Sequence, residues 1–166
     1  MVDLSLAEVT HLISAANAAR WQSDISGQAH APAAMDAERR IEALFRISHT
    51  LAVYGTLAPG RSNHHMVAPL GGDWTDGFVE GDHSHVGWGT TLGYPAFRPR
   101  VGGLIVAVHV LTSPSLAAAW PTLDDFEGPE YRRILVPVFR PGPAGEQRLY
   151  TVANLYAAAE GATLTP

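Results

Sequence analysis

Arg132-Arg-Ile-Leu-Val-Pro-Val-Phe-Arg140 and Arg148-Leu-Tyr-Thr-Val-Ala-Asn-Leu-Tyr156 are runs rich in β-branched and aromatic residues, separated by Pro141-Gly-Pro-Ala-Gly145. Such runs about a Pro- and Gly-rich turn read as a β-hairpin, and Pro137, which cannot donate to a ladder, gives the first run an edge position. The same reading extends upstream. Thr50-Leu-Ala-Val-Tyr54 is a short buried strand that stops at Gly55, Gly103-Leu-Ile-Val-Ala-Val-His-Val110 is a longer one, and Gly77-Phe-Val-Glu80 belongs to a weaker one. One helix falls among these strands. Ser113 caps it, Pro114 takes its first position, and it runs through Ala119 until Pro121 interrupts it before Leu123 to Glu127. Strands outnumber helices, so the expected class is α+β, a mixed or closed β-sheet with helices outside rather than a doubly wound parallel sheet.

The first 48 residues follow another period. Leu6, Val9, Leu12, Ile13 and Ala16 recur at helical spacing, and Ser5 with Glu8 fits a capping box, predicting a helix from Leu6 to Arg20. Gln22 to Ala34 has loop composition, and Met35 to Ile47, capped by Asp36, reads as a second helix. The chain thus divides into a helical extension, 1–48, packed on a domain spanning 49–166. No chemical constellation falls within the extension.

Composition narrows the chemistry. The chain has 166 residues; all 11 of its basic residues are Arg, and it has no Cys. A Schiff-base lysine, a thiolate nucleophile, a disulfide and a cysteine-ligated metal are therefore excluded. Proton transfer falls to 16 carboxylates, 8 His, 5 Tyr or backbone groups. The 16 Gly and 12 Pro, above ordinary usage, fit a fold with many turns. A net charge of −5 with scattered Arg argues against a nucleic-acid partner. No apolar run approaches the roughly 20 residues that span a bilayer, and the N-terminus lacks a basic signal start, so no membrane association and a cytoplasmic setting are expected.

Three constellations carry chemistry. Gly55, Gly60, Arg61 and Ser62 have the spacing of a phosphate-binding loop, but Arg replaces its lysine and Pro59 removes an amide donor. His64 and His65 with His83 and His85 could meet a carboxylate at a divalent metal, although the composition around them is that of loops. Leu123-Asp-Asp-Phe-Glu-Gly-Pro-Glu-Tyr-Arg-Arg133 places Asp124, Asp125 and Glu127 near a helix C-terminus, where the dipole disfavours negative charge and raises carboxylate pKa values. A partly buried Glu127 with carboxylate neighbours is a general base poised near neutrality. Leu123 and Phe126 are assigned to the core.

Val53-Tyr-Gly-Thr-Leu57 with Gly60 and Asn63-His64, followed by Gly93-Tyr-Pro-Ala96, Val101-Gly-Gly-Leu-Ile105 and Leu123-Asp-Asp-Phe-Glu-Gly128 with Tyr131-Arg132, resembles the gamma-glutamylcyclotransferase-like family, including its AIG2-like branch. The resemblance covers about Leu51 to Tyr156. It implies a small mixed β-barrel with peripheral helices, and an enzyme that cyclises a gamma-glutamyl amide to 5-oxoproline with release of an amine. It also implies a small-molecule substrate and no cofactor or metal. Glu127 matches the family's catalytic glutamate. Tyr54, Gly55, Thr56 and Leu57 match the loop that holds the glutamyl part, and Tyr131 matches a recurring aromatic position. Arg132 has two openings, pairing with Asp124 or Asp125, or meeting the substrate carboxylate. The released amine and the oligomeric state stay open, and stretch 71–95 is the expected wall on the amine side. The alternative reading is a non-catalytic domain of the same fold that binds a small ligand or a protein.

Overall fold

The computed structural model describes residues 4–26, 32–84 and 96–159. Among these, β1 (Thr50–Val53), β2 (Asp73–Ser84), β3 (Ala96–Pro99), β4 (Leu104–Thr112), β5 (Tyr131–Pro141) and β6 (Gln147–Ala158) form one sheet in the order β3-β2-β4-β1-β6-β5. Phe78 of β2 pairs with Phe139 of β5 and closes β2, β4, β1, β6 and β5 into a barrel, with β3 added alongside β2. The sheet is mixed: β1 and β6 run parallel through Leu51 and Asn154, and the other pairs are antiparallel. The expected α+β class and mixed barrel with outer helices is the one observed.

Strand alternation fills the barrel. Val79, Val106, Val108, Val110, Val136, Val138 and Leu155 point inward and are buried, a set of β-branched and aliphatic side chains suited to a pleated wall. The register of β5 on β6 shifts between Val138 and Phe139, where Tyr150 of β6 is the extra residue of a bulge, and Phe139 beside it is the residue that pairs with β2. Gly81 lets β3 approach, because a Cβ there would lie 2.3 Å from the Phe97 ring and 2.4 Å from the Arg98 carbonyl oxygen. β2 corrects the sequence reading, which saw strand only at Gly77 to Glu80 and turns around it. Its Asp and Gly residues are poor strand formers, and pairing with β4 on one side and β3 on the other overrides them. β3, four residues long, has no signal in the sequence.

Three helices lie outside the wall among the described residues: α1 (Leu6–Ser26), α2 (Pro32–Phe45) and α3 (Leu116–Glu127). The capping box forms, with the Ser5 amide and hydroxyl donating to Glu8 Oε2 at 2.8 and 2.7 Å and the Glu8 amide donating to Ser5 Oγ at 3.3 Å. α1 continues past Arg20. α2 begins at Pro32, a residue suited to a first helical position, so Asp36 lies inside the helix and pairs with Arg39 at 3.6 Å instead of capping it. α2 ends at Phe45, and Ile47 belongs to a short 3-10 turn. Val9, Ile13, Ala16 and Ile41 pack on Leu135 and Val152, the outer face of the hairpin.

α1 also completes the barrel wall. Apart from the Phe139 pairing, β5 has no strand beyond it among the described residues, in keeping with the edge position of Pro137, and the Asn17 side chain takes up the open edge. Its Nδ2 donates to the Leu135 carbonyl and its Oδ1 accepts from the Leu135 amide, both at 2.8 Å. α3 buries Leu116, Trp120 and Leu123 against Leu51, Leu111 and Tyr156. It runs through Pro121 without a break, since this burial holds both halves and only one backbone bond is forgone. Its cap is displaced too: Ser113 Oγ accepts from the Ser115 amide at 3.2 Å, and the helix starts at Leu116. Phe126 is not a core residue. It is 39% exposed, because the buried stripe passes through Leu123 and leaves Phe126 to one side.

Asn17→Ala leaves the amide and carbonyl of Leu135 without partners at a part-buried edge. The expected cost is about 1–3 kcal/mol, read as a lower Tm in thermal denaturation. A variant that melts with the wild type would show that this edge needs no cover.

Candidate active site

Leu116, Trp120 and Leu123 are spaced four and three residues apart, and the next place on that stripe is Glu127. The last residue of α3 is thus a carboxylate where the helix geometry calls for an apolar side chain. It is half-buried and makes no hydrogen bond or ion pair among the described residues. Burial pushes its carboxyl up to about 7. Burial accounts for this rise in place of the expected contribution from neighbouring carboxylates. Gly128 then ends the helix in a left-handed conformation, φ 73°, its amide donating to Asp124 O at 3.0 Å. The chain turns so that Tyr131 follows on β5 beside the helix end.

Asp124, one turn earlier, has the opposite environment. Burial alone would raise its pKa, but hydrogen bonds from Arg133 and Tyr156, with the charges of Arg133 and Arg20, outweigh that and hold it below the usual value. Arg133 binds it with Nε at 2.8 Å and Nη2 at 3.1 Å, and the Tyr156 hydroxyl donates at 2.6 Å. The chain of contacts continues away from α3. Arg133 lies over the Trp120 ring, 4.5 Å from its centroid, and Nη1 donates to Asn154 Oδ1 at 3.4 Å. Arg20 of α1 donates to the same oxygen at 2.9 Å and pairs with Glu38 of α2. Asn154 itself, 1% exposed, donates to Ile47 O at 2.7 Å. The helical extension is therefore bonded to the residues that seat α3.

Strand register sorts the other candidates. Leu51 lies beside Asn154 in the parallel pair, so Tyr54 comes level with Ala157, which pairs with Arg132. Tyr54, Ile134 and Ala157 belong to the interior, whereas Tyr131 and Tyr156 pack toward α3. Arg132 and Arg133, adjacent on β5, consequently part company. The partner of Asp124 is Arg133, a residue the sequence did not single out, and Arg132 lies over the Trp21 ring of α1, 3.6 Å from its centroid. Tyr54 packs on Phe97 with ring centroids 5.5 Å apart, and its hydroxyl donates to Tyr156 O at 3.0 Å. The pKa values of Tyr54, Tyr131 and Tyr156 are raised, in each case chiefly by burial and further by the charge of Glu127, which places the three phenols around that carboxylate.

The Tyr54–Asn63 loop is built from its own polar groups. Asn63 donates from its amide to Thr56 O and from Nδ2 to Thr56 Oγ1, both at 2.9 Å, and His64 Nδ1 meets Leu57 O at 3.0 Å. The Leu57 side chain is buried in the core, so only its backbone is available to a ligand. The amides of Gly55, Thr56 and Leu57 have no acceptor among the described residues. The loop passes into three-residue 3-10 turns, His64–Met66 and Ala68–Leu70, not the long helix that a phosphate-binding loop requires. His65 Nδ1 meets Ser62 O at 3.2 Å, and His83 is a residue of β2 paired with Phe97. Among the described residues no group of three or more His, Asp or Glu gathers as a metal site. His85, the Gly93-Tyr-Pro95 piece and the 85–95 part of the expected amine-side wall lie outside the described residues.

Residues 51–164 match the family model described as gamma-glutamyl cyclotransferase, AIG2-like, and the chain belongs to that family. Among solved structures, it is similar to a protein specific to uropathogenic E. coli, at 18% identity over 70% of this chain and 84% of that one, with a TM-score of 0.50. An Arabidopsis thaliana protein gives 23% identity over 66% and 61% with a TM-score of 0.45. An AIG2-like protein of Mus musculus gives 19% over 70% and 80%, also with a TM-score of 0.45. No curated protein sequence matches it. Among the described residues no helix is long and apolar enough to cross a membrane.

Arg133→Met removes the cation that keeps Asp124 ionised. A carboxylate depressed on folding contributes stability above its unfolded value near 3.8 and loses it as pH falls through the folded value. The Tm gap between wild type and variant is therefore expected to be widest near neutral pH and to close under acid. A gap independent of pH would assign the loss to packing on Trp120 alone.

Proposed function

We propose that the protein cyclises the glutamyl part of a small gamma-glutamyl amide to 5-oxoproline and releases the amine, with Glu127 as general acid and base. The observation that carries this reading is the Glu127 carboxyl, half-buried at the end of α3 and without a partner among the described residues, with its pKa pushed up to about 7, in a member of this family. A carboxyl near 7 is ionised in a large fraction of molecules at neutral pH, so it can take a proton from the substrate α-ammonium and hand it on. The neutral amine then attacks the γ-carbonyl carbon of its own molecule. The C–N bond to the departing amine breaks as Glu127 hands the proton to that nitrogen. The ring nitrogen sheds its second proton as the new C–N bond forms, and the departing amine takes it up to leave as an ammonium, so atoms and charge balance without a co-reactant.

Nucleophile and electrophile share one molecule, so the protein has chiefly to hold a folded conformer, which well-oriented systems convert into effective molarities on the order of 10⁵ M or more. The unbonded amides of Gly55, Thr56 and Leu57 suit the oxygen that gains charge at the γ-carbon. Tyr54 and Tyr131 wall the site around Glu127, and their raised pKa values keep both phenols protonated at neutral pH.

The test is 5-oxoproline release from a panel of gamma-glutamyl amides. Glu127→Gln is expected to lower kcat by about 10² or more. In the wild type kcat/KM should rise with pH through about 7, because only the ionised carboxyl accepts the proton. A variant with near-normal turnover would remove Glu127 from the mechanism, and wild type inert toward the whole panel would favour the binding-domain reading.

Stability supplies a separate check. The folded pKa of Glu127 exceeds its unfolded value of 4.5, so its contribution is full below pH 4.5 and is lost as pH rises through about 7. Glu127→Gln should therefore gain on the wild type above pH 7, by at most about 3 kcal/mol, in thermal melts. A gap between the two that does not change with pH would deny the raised carboxyl.

A further inference from the structure

Glu38 of α2, Arg20 of α1, Asn154 of β6, Arg133 of β5 and Asp124 of α3 are joined in one row of polar contacts. Arg20 holds Glu38 with Nη2 at 2.5 Å and Nε at 3.2 Å, and its Nη1 donates to Asn154 Oδ1 at 2.9 Å. Arg133 reaches the same oxygen at 3.4 Å while its fork holds Asp124. We propose that Arg20 is a positioning residue for Glu127: by occupying Glu38 it confines Arg133 to Asp124, and so holds the end of α3 in the packing that keeps Glu127 from water. The proposal rests on the cyclisation reading above and adds a residue of the helical extension that acts on its base.

Charge is the first argument. The row has a carboxylate at each end and two guanidiniums within, and what the two cations share is the oxygen of a neutral amide. Asn154 cannot turn away from them, since it is 1% exposed and its Nδ2 donates to Ile47 O at 2.7 Å. Each half-buried guanidinium therefore depends on its own carboxylate. Without Arg20, Glu38 loses its cation and Arg133 stands between two carboxylates. Space is the second argument. A cleft of about 570 Å³ opens along the row, and Arg20, Glu38, Trp120, Arg133 and Asn154 all line it. An arginine stem can swing through that opening from Asp124 toward Glu38. Arg20 stands in the way, its Nη1 also donating to Arg133 O at 3.4 Å.

Asp124 passes this constraint to the site. Its carbonyl accepts the Gly128 amide at 3.0 Å, the bond that ends α3 just after Glu127. Its carboxylate accepts the Tyr156 hydroxyl at 2.6 Å, and Tyr156 O accepts the Tyr54 hydroxyl at 3.0 Å. The charge of Glu127 acts on Tyr54 of β1, Tyr131 of β5 and Tyr156 of β6, while Asp124, Asp125 and Glu130 share the helix end with it. Burial is what raises its carboxyl. A helix end released by Arg133 admits water to that carboxyl, and hydration lowers its pKa. The sign separates this from a field effect, because losing a positive charge raises a carboxylate pKa or leaves it in place. Arg20 lies upstream of the residues matched to the family, in the extension.

The experiment follows the Glu127 carboxyl in two ways. Carbon-13 NMR of the glutamate carboxyls, with its resonance assigned by loss in Glu127→Gln, reads the pKa without turnover, and the pH profile of kcat/KM reads it with turnover. Arg20→Gln keeps an amide that can donate to Asn154 Oδ1 but leaves Glu38 without its cation. The pKa is expected to fall by about one pH unit from its value near 7. Arg20→Gln/Glu38→Gln, which removes the competing carboxylate, should return to the wild-type value, and Arg20→Lys, which keeps a charge on Glu38, should hold it. An unchanged or raised pKa in Arg20→Gln overturns the proposal, as does a fall that Glu38→Gln fails to reverse. All are titrated in sucrose, which supports a weakened fold. If Arg20→Gln still does not fold, a folded double variant supports the proposal, since both lose the same packing on α1, and failure of both overturns it. The NMR shift and its reversal without turnover of any gamma-glutamyl amide would sink the cyclisation reading alone. Turnover with an unshifted Glu127 would sink the role of Arg20 alone.

Discussion

The architecture depends on how little β5 shares with β2. One residue pair, Phe78 with Phe139, closes the barrel, and the rest of the outer edge of β5 finds no strand among the described residues. A backbone edge at the boundary of a core must be bonded by something. α1 meets the requirement with one asparagine laid across Leu135, and the helix axis so fixed sends Arg20 to Asn154 and Trp21 to Arg132. The helix end that carries Glu127 is tied back to that solution.

Two carboxylates on consecutive turns of α3 show how environment divides labour. Asp124 meets a guanidinium fork and a phenol and is held ionised; Glu127, with no cation paired to it among the described residues, is pushed by burial toward the neutral form. The paired one anchors the helix end to β5 and β6. The unpaired one is left with a proton affinity that neutral solution can switch. Exchanging their surroundings would exchange their roles without altering the helix.

Much of this was legible in the sequence, and the parts that were not share a cause. The hairpin, the capping box of α1 and the edge position of Pro137 follow from local composition. Glu127 stood out because it ends a helix beside Gly128 within a recognisable motif, and the stripe Leu116, Trp120, Leu123 would have placed it on the buried face. The same stripe, read alone, would have put Phe126 outside. β3 and most of β2 have weak local preferences and exist through their pairing. The choice between Arg132 and Arg133 needed the register of β5, since adjacent residues on a strand face opposite sides and nothing local says which side is in.

Asn17 has a meaning beyond this one fold. Arg133 and Leu135 turn backbone groups outward, and α1 answers both, Asn17 for Leu135 and Arg20 for the Arg133 carbonyl at 3.4 Å. Lift the helix away and what remains is an extended strand with donors and acceptors in sequence, the template on which sheets of separate molecules join. A single helix thus keeps the barrel from growing sideways into its neighbours, and the site at its rim exists because that border is guarded by side chains and not by another strand.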